Sequence, residues 1–159
     1  MSIERITVIG GGTMGNGIAH VCAQAGRKVT LVDTEQDFLE RALNTIFKNL
    51  DRQVKKEIIS AGEKDATVDR ISTTTDLEDG VAEAQLVVEA VPEKLDLKEK
   101  LFTTLDKEAP SEAILATNTS SISITEIAAF TSRPEKVIGM HFMNPVPVMK
   151  LVEVIRGLA

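Results

Sequence analysis

Tryptophan and tyrosine are absent from this 159-residue chain, which has one cysteine, two histidines and five prolines. A single cysteine leaves no internal disulfide and no zinc cluster to build. Cys22 falls on the apolar stripe Ile18, Val21, Cys22, Ala25, which makes it a small core thiol in preference to a nucleophile. No cluster of aromatics offers a base-stacking surface and the net charge is −6, so nucleic acid is not an expected partner. Missing too is any apolar run near the ~20 residues that cross a bilayer, so no membrane contact is expected. The chain enters its first strand directly after Met1 and Ser2, with no room for a secretory leader, and a cytoplasmic location is expected. What remains is one domain's length of chain, 43% hydrophobic and able to bury a core. Any anionic ligand must be held by local features, because the overall charge opposes it.

Residues 3–33 run IERITVIG, GGTMG, NGIAHVCAQAG, RKVTLVD: an apolar strand, a glycine-rich turn, a helix, and a second strand ending in an acid. The spacing Gly10-x-Gly12-x-x-Gly15 lies between strand and helix, and Asp33 follows Gly15 by eighteen positions. That is the context in which this fingerprint marks a dinucleotide site. Gly10 permits the tight turn, Gly12 lets the backbone approach a pyrophosphate, and Gly15 lets the helix pack closely on the sheet. The phosphates are expected at the helix start, by Thr13 and Met14, where unpaired N–H groups and the positive end of the helix dipole favour an anion. Asp33 can accept hydrogen bonds from both hydroxyls of an adenine ribose and repels a 2′-phosphate, while Thr34 and Glu35 bring no arginine to offset it. NAD is therefore expected over NADP. In isolation the glycines would serve only a turn and Asp33 only a helix cap; strand, spacing and acid together favour the cofactor.

Beyond Asp33, the apolar residues Phe38, Leu39, Ala42, Leu43, Ile46, Phe47, Leu50, Val54 and Ile58 recur at three- and four-residue steps, which predicts a long helix ending around 60–62. A short polar helix is expected through Val68, then strands over Ile71–Thr75 and over Gln85–Val91, the latter stopped by Pro92. A helix from Glu93 to about Ala109 leads to a strand at Ala113–Thr117, and Ser123-Ile-Thr-Glu126 has the form of a capping box opening a short helix to about Phe130. The last strands are expected at Val137–Phe142 and Lys150–Ile155, around the turn NPVPV. Strands alternating with helices predict an α/β fold, a doubly wound and mostly parallel sheet with flanking helices, in a single domain over 1–159. In such sheets ligands lie beyond the carboxyl ends of the strands. Those ends are Gly10–Gly15, Asp33, Ala90–Glu93, Asn118–Ser121 and His141–Asn144.

His141 ends a strand in HFMNP, where an imidazole could take a proton from a substrate hydroxyl, a role worth roughly 10²–10⁴-fold in rate; a packing role is equally open. His20, inside the first helix, reads as a surface or packing residue. Glu153 interrupts the apolar strand KLVEVI, and is either paired, with His141 as the natural partner, or turned to solvent on an edge strand. Ser123 is the better helix cap, which leaves Ser120 free to hydrogen-bond a substrate oxygen, and the amide of Asn144 can donate or accept, although Asn-Pro is also an ordinary turn. Lys48, Arg52 and Lys56 form a cationic stripe, either a solvated face or a contact for a bulky anion.

Together the segments VIGGGTMGNGIAH, VVEAVPEKLDLK, TNTSSISI and GMHFMNPVPVMKLVEVI resemble the 3-hydroxyacyl-CoA dehydrogenase family over essentially the whole chain. The resemblance implies a Rossmann-type NAD domain and reversible hydride transfer between NAD and C3 of an acyl-CoA, in particular 3-hydroxybutyryl-CoA. It implies His141 as general base and acid, oriented by Glu153, with Ser120 and Asn144 at the substrate oxygens or the nicotinamide end. Glu93, Lys98, Asn118 and Ser120 are expected at the NAD site, and Asn49 and Lys56 where the family contacts coenzyme A. It also implies a further helical domain beyond these residues. A helical partner domain or a homo-oligomer is therefore an expected partner, and an isolated NAD-binding module inactive without such a domain is the alternative reading.

Overall fold

A computed structural model describes residues 2–159. Strands and helices alternate as the sequence periods require: β1 (Arg5–Ile9), α1 (Thr13–Gln24), β2 (Lys28–Val32), α2 (Gln36–Lys55), α3 (Ala61–Asp69), β3 (Ile71–Thr74), α4 (Leu77–Val81), β4 (Leu86–Glu89), α5 (Leu95–Glu108), β5 (Ile114–Thr117), α6 (Ile124–Ala128), β6 (Val137–Phe142) and β7 (Val152–Arg156). The strands form one sheet in the order β3-β2-β1-β4-β5-β6-β7, parallel except for β7, which runs antiparallel to β6. The order reverses between β1 and β4, the place where a doubly wound sheet opens a crevice.

Both faces of the sheet are covered, so the central strands are apolar on both sides. Ile6, Val8, Leu31 and Val88 pack with Ile18 of α1 and Leu39, Ile46 and Leu50 of α2. Ile9, Val32, Val87 and Leu115 pack with Phe102 and Leu105 of α5 and Ile127 of α6. Cys22 packs at the edge of the first of these layers, and burial pushes its thiol up to about 11, as a core thiol requires.

Three local features differ from expectation. The long helix α2 stops at Lys55. Glu57 adopts φ 58, its N–H bonds to the Val54 carbonyl, and the Ile58 N–H bonds to the Gln53 carbonyl, which is the paired closure of a Schellman turn. Ile58 therefore leaves the apolar stripe and is 64% exposed. Ser60 then caps α3, its hydroxyl accepting from the Glu63 N–H at 3.0 Å. Helix α4 was not expected; its N-cap Asp76 accepts from the Asp79 N–H. Helix α5 begins at Leu95, after a turn in which the Lys94 N–H bonds to the Pro92 carbonyl, so Glu93 stands in the loop before it. At α6 the Ser123 hydroxyl accepts from the Glu126 N–H at 3.4 Å, the forward half of the expected capping box.

Candidate functional site

Strand register aligns the carboxyl ends across the sheet: Ile9 sits opposite Val32 and Glu89, and Glu89 opposite Thr117. Above this rim lies a cleft of about 1020 Å³. Its β1 side is built by the glycine turn. Gly10 has φ +100 and a side chain there would meet the Ala90 carbonyl at 2.6 Å, so only glycine fits. A Cβ on Gly15 would overlap the Gly10 carbonyl oxygen, so the start of α1 lies directly on the turn. Gly12 is the opposite case, with no atom within 4 Å of a built Cβ. That open space, next to the uncapped first turn of α1, suits a pyrophosphate. Asp33 accepts the Gly11 N–H on Oδ2 at 2.7 Å and the Thr34 N–H on Oδ1 at 2.7 Å, which fixes its carboxylate on the cleft wall. The wall continues onto α2 with Phe38, Arg41 and Thr45, the Arg41 guanidinium lying 5.6 Å over the Phe38 ring.

The opposite wall comes from the ends of β4, β5 and β6: Glu89–Glu93, Asn118, Ser120 and His141–Asn144. A polar network sits behind it. Glu89 is fully buried; Oε1 accepts from the Thr117 hydroxyl at 2.6 Å, and Oε2 accepts from the Lys98 ammonium and the Val91 N–H, each at 2.8 Å. Lys98, also fully buried, lies 3.1 Å from Glu93 Oε1. Glu93 Oε2 accepts from the hydroxyls of Thr119 at 2.5 Å and Ser121 at 2.8 Å. Partial burial works to raise the Glu93 pKa, but these hydroxyls and the Lys98 charge outweigh it, and the carboxyl titrates below its usual range. Asn118 Oδ1 accepts the Phe142 N–H at 2.9 Å and so ties the β5 loop to the end of β6.

His141 stands opposite Glu153 in the β6–β7 ladder, because antiparallel pairing places directly opposed side chains on one face. Their closest approach is 3.8 Å, from Nδ1 to Oε2, an ion-pair separation too long for a hydrogen bond. The side chains are 27% and 51% exposed. Glu153 is thus both partly solvated and turned toward His141. Ser120 and Asn144 share the same cleft wall.

Residues 5–159 match the family model described as the 3-hydroxyacyl-CoA dehydrogenase NAD binding domain. The chain belongs to this family. The NAD-binding domain is 49% identical over its whole length to the probable 3-hydroxybutyryl-CoA dehydrogenase of Bacillus subtilis, covering 55% of that protein. It is 50% identical over 99% of its length to the 3-hydroxybutyryl-CoA dehydrogenase of Bradyrhizobium diazoefficiens, covering 53% of it. The crystal structure of (S)-3-hydroxybutyryl-CoA dehydrogenase from Ralstonia eutropha superposes with a TM-score of 0.96 at 45% identity, over 99% of this chain and 55% of that one. The chain spans about half the length of the curated relatives it matches.

Within this 3-hydroxyacyl-CoA dehydrogenase domain, the sequence-predicted residues fall into three groups. Gly10, Gly12, Thr13, Met14, Asp33, Glu93, Asn118, Ser120, His141 and Asn144 line the cleft. Gly15 and Glu153 lie against lining residues, and Lys98 lies behind the wall, where it reaches the cleft only through Glu93. Asn49 and Lys56 are outside the lined cleft; 38, 41, 45, 49 and 52 follow one stripe of α2, and Lys56 is the C-cap residue just past its end. Asn49 Oδ1 accepts from Arg52 at 3.3 Å on that stripe. Sequence reasoning missed Glu89, Thr117, Phe38 and Arg41 as parts of the site. The signal for Glu89 was present: an acid inside the buried run QLVVEAV needs a partner, the same reasoning that singled out Glu153. No helix of the described residues is long and apolar enough to cross a membrane, and no group of three or more His, Cys, Asp or Glu among them could hold a metal.

Proposed function

We propose that this domain carries the chemical groups of an NAD-dependent 3-hydroxyacyl-CoA dehydrogenase acting on 3-hydroxybutyryl-CoA or a close homologue. The observation that carries the reading is His141, lining the same cleft as the glycine turn and Asp33, with Glu153 facing it from the neighbouring strand. When bound, NAD supplies the hydride acceptor, and the reaction sums to 3-hydroxyacyl-CoA plus NAD⁺ giving 3-oxoacyl-CoA, NADH and a proton. His141 takes the 3-hydroxyl proton in that direction and returns it in the reverse one. Glu153 faces the imidazole from the neighbouring strand at an ion-pair separation and orients it. Ser120 and Asn144 hydrogen-bond the substrate oxygens. Glu93, Asn118 and Ser120 receive the nicotinamide end of the cofactor, and Asp33 holds the adenine ribose. Asn49 and Lys56 take the coenzyme A portion, which the α2 stripe would guide out of the cleft, with Lys56 and Arg52 offsetting its phosphates.

A second reading is favoured by one observation: Val148, Met149, Leu151, Val154 and Leu158 are exposed apolar side chains on the last turn and strand. In that reading the domain binds NAD but turns over only when the remainder of a longer protein, as the relatives possess, covers this strip and completes the acyl pocket.

The test mixes the protein and NADH with acetoacetyl-CoA in one cuvette and with acetoacetate in another. NADH oxidation with the thioester alone is the expected result. Oxidation with the free acid and not the thioester overturns the substrate class, and NADH binding without turnover of either supports the second reading.

A further inference from the structure

The wall that receives the nicotinamide end is made of three separate strand-end segments, and one buried carboxylate touches two of them while holding the cation that steers a third group. Glu89 makes no use of solvent. Its oxygens accept from Thr117 at the start of the β5 loop, from Val91 in its own loop, and from Lys98 on α5. Thr117 passes the constraint on, since its hydroxyl accepts the Thr119 N–H at 3.2 Å, one residue before Ser120. Lys98 passes it on to Glu93, whose second oxygen takes up Thr119 and Ser121. Glu93 and the loop around Ser120 are thereby clamped by Glu89, at the foot of the cleft wall, and by Lys98 and Thr117 behind it.

Replacing a buried ion pair by apolar groups of similar volume is often neutral or stabilising, so stability alone does not call for an ion pair here. We infer that Glu89 is a positioning residue of the NAD site: through Lys98 it fixes Glu93, and through Thr117 it fixes the 117–121 loop. The inference rests on the NAD site described above and concerns its nicotinamide half only. The adenosine half belongs to Asp33, whose carboxylate the Gly11 N–H holds in place on the far side of the switch in strand order, and the Glu89 side chain hydrogen-bonds neither.

Two ligands separate the halves: NADH, and ADP-ribose, which lacks the nicotinamide. Affinities for both are measured by titration calorimetry with the native protein, Glu89→Gln, and the double variant Glu89→Gln/Lys98→Met, alongside the denaturant midpoint of each. Glu89→Gln should weaken NADH about tenfold or more while leaving ADP-ribose within about twofold, since the group lost is a charge-assisted partner of one half only. The double variant removes both charges and should regain the native midpoint without regaining the NADH preference. A merely structural Glu89 would weaken both ligands alike, or would have its NADH preference restored with the midpoint; either result overturns the inference. ADP-ribose binding by the native protein checks the cofactor site itself, so a failure there is distinct from a failure of Glu89's role.

Discussion

His20 sits on α1 with no solvent exposure, its Nε2 2.9 Å from the Gln24 carboxamide oxygen, and its Nδ1 has no hydrogen-bond partner among the described residues. Burial pushes its pKa below the ordinary 6.5, with the Gln24 and Gln53 side chains working the other way. The sign of the consequence is fixed. Above 6.5 the residue is neutral in folded and unfolded protein alike; below it the unfolded chain takes up a proton that the folded protein refuses, so stability falls until the lowered folded value is reached. Glu93 and Asp106 add to the loss further into acid: their folded pKa values are depressed, so the stability they contribute above the unfolded carboxylate pKa is lost as pH falls through the folded one. For Asp106 burial opposes the shift, and the Ser132 hydrogen bonds and the Arg133 guanidinium prevail. Urea midpoints taken between about pH 7 and about pH 5.5 should decline in the native protein and stay nearly flat in His20→Gln. Equal declines in both would remove His20 from the account.

At the scale of elements, the glycine turn and α1 make a prediction that separates folding from binding. A methyl on Gly12 meets nothing, whereas one on Gly15 overlaps the Gly10 carbonyl. Gly12→Ala should therefore keep the native unfolding midpoint closely and lose NADH affinity by about tenfold or more, because the methyl fills the space a pyrophosphate needs. Gly15→Ala should cost about 1–3 kcal/mol in stability by the same unfolding measurement, since backbone must move to admit it. These elements were legible because the spacing Gly10-x-Gly12-x-x-Gly15 sits between an apolar strand and a helix and is followed by a second strand ending in Asp33. Helix α4 was not, since five residues complete little more than one turn and show no period. Nor was the end of α2, where the usual glycine signal is replaced by Glu57 in the left-handed region and Ile58 continues the apolar spacing past the last helical turn.

For the whole molecule, an acidic protein is expected to bind an anionic dinucleotide, and the fold reconciles the two locally, through the uncapped amides at the start of α1 on one wall of the cleft. The rim of the cleft could be read in advance, because ligands of doubly wound sheets lie beyond the strand ends and those ends are visible in the sequence. The two walls were less visible. Phe38 obeys the apolar period of α2 yet is 41% exposed, facing the cleft with Arg41 beside it. Glu89, an acid in a buried run, asks for a partner, but its partners Lys98 and Thr117 come from elements whose meeting only the tertiary fold decides. The His141–Glu153 pairing was open in the sequence for the same reason, since alternation along β7 allows Glu153 either face until the antiparallel register is known.

In the proposed reaction His141 is the group that moves the substrate proton. The direct measurement is the rate of acetoacetyl-CoA-dependent NADH oxidation by the native protein and by His141→Ala, with NADH affinity determined for both. The predicted result is a rate lowered by roughly 10²–10⁴-fold in the variant at unchanged NADH affinity. A variant that oxidises NADH at the native rate would contradict it.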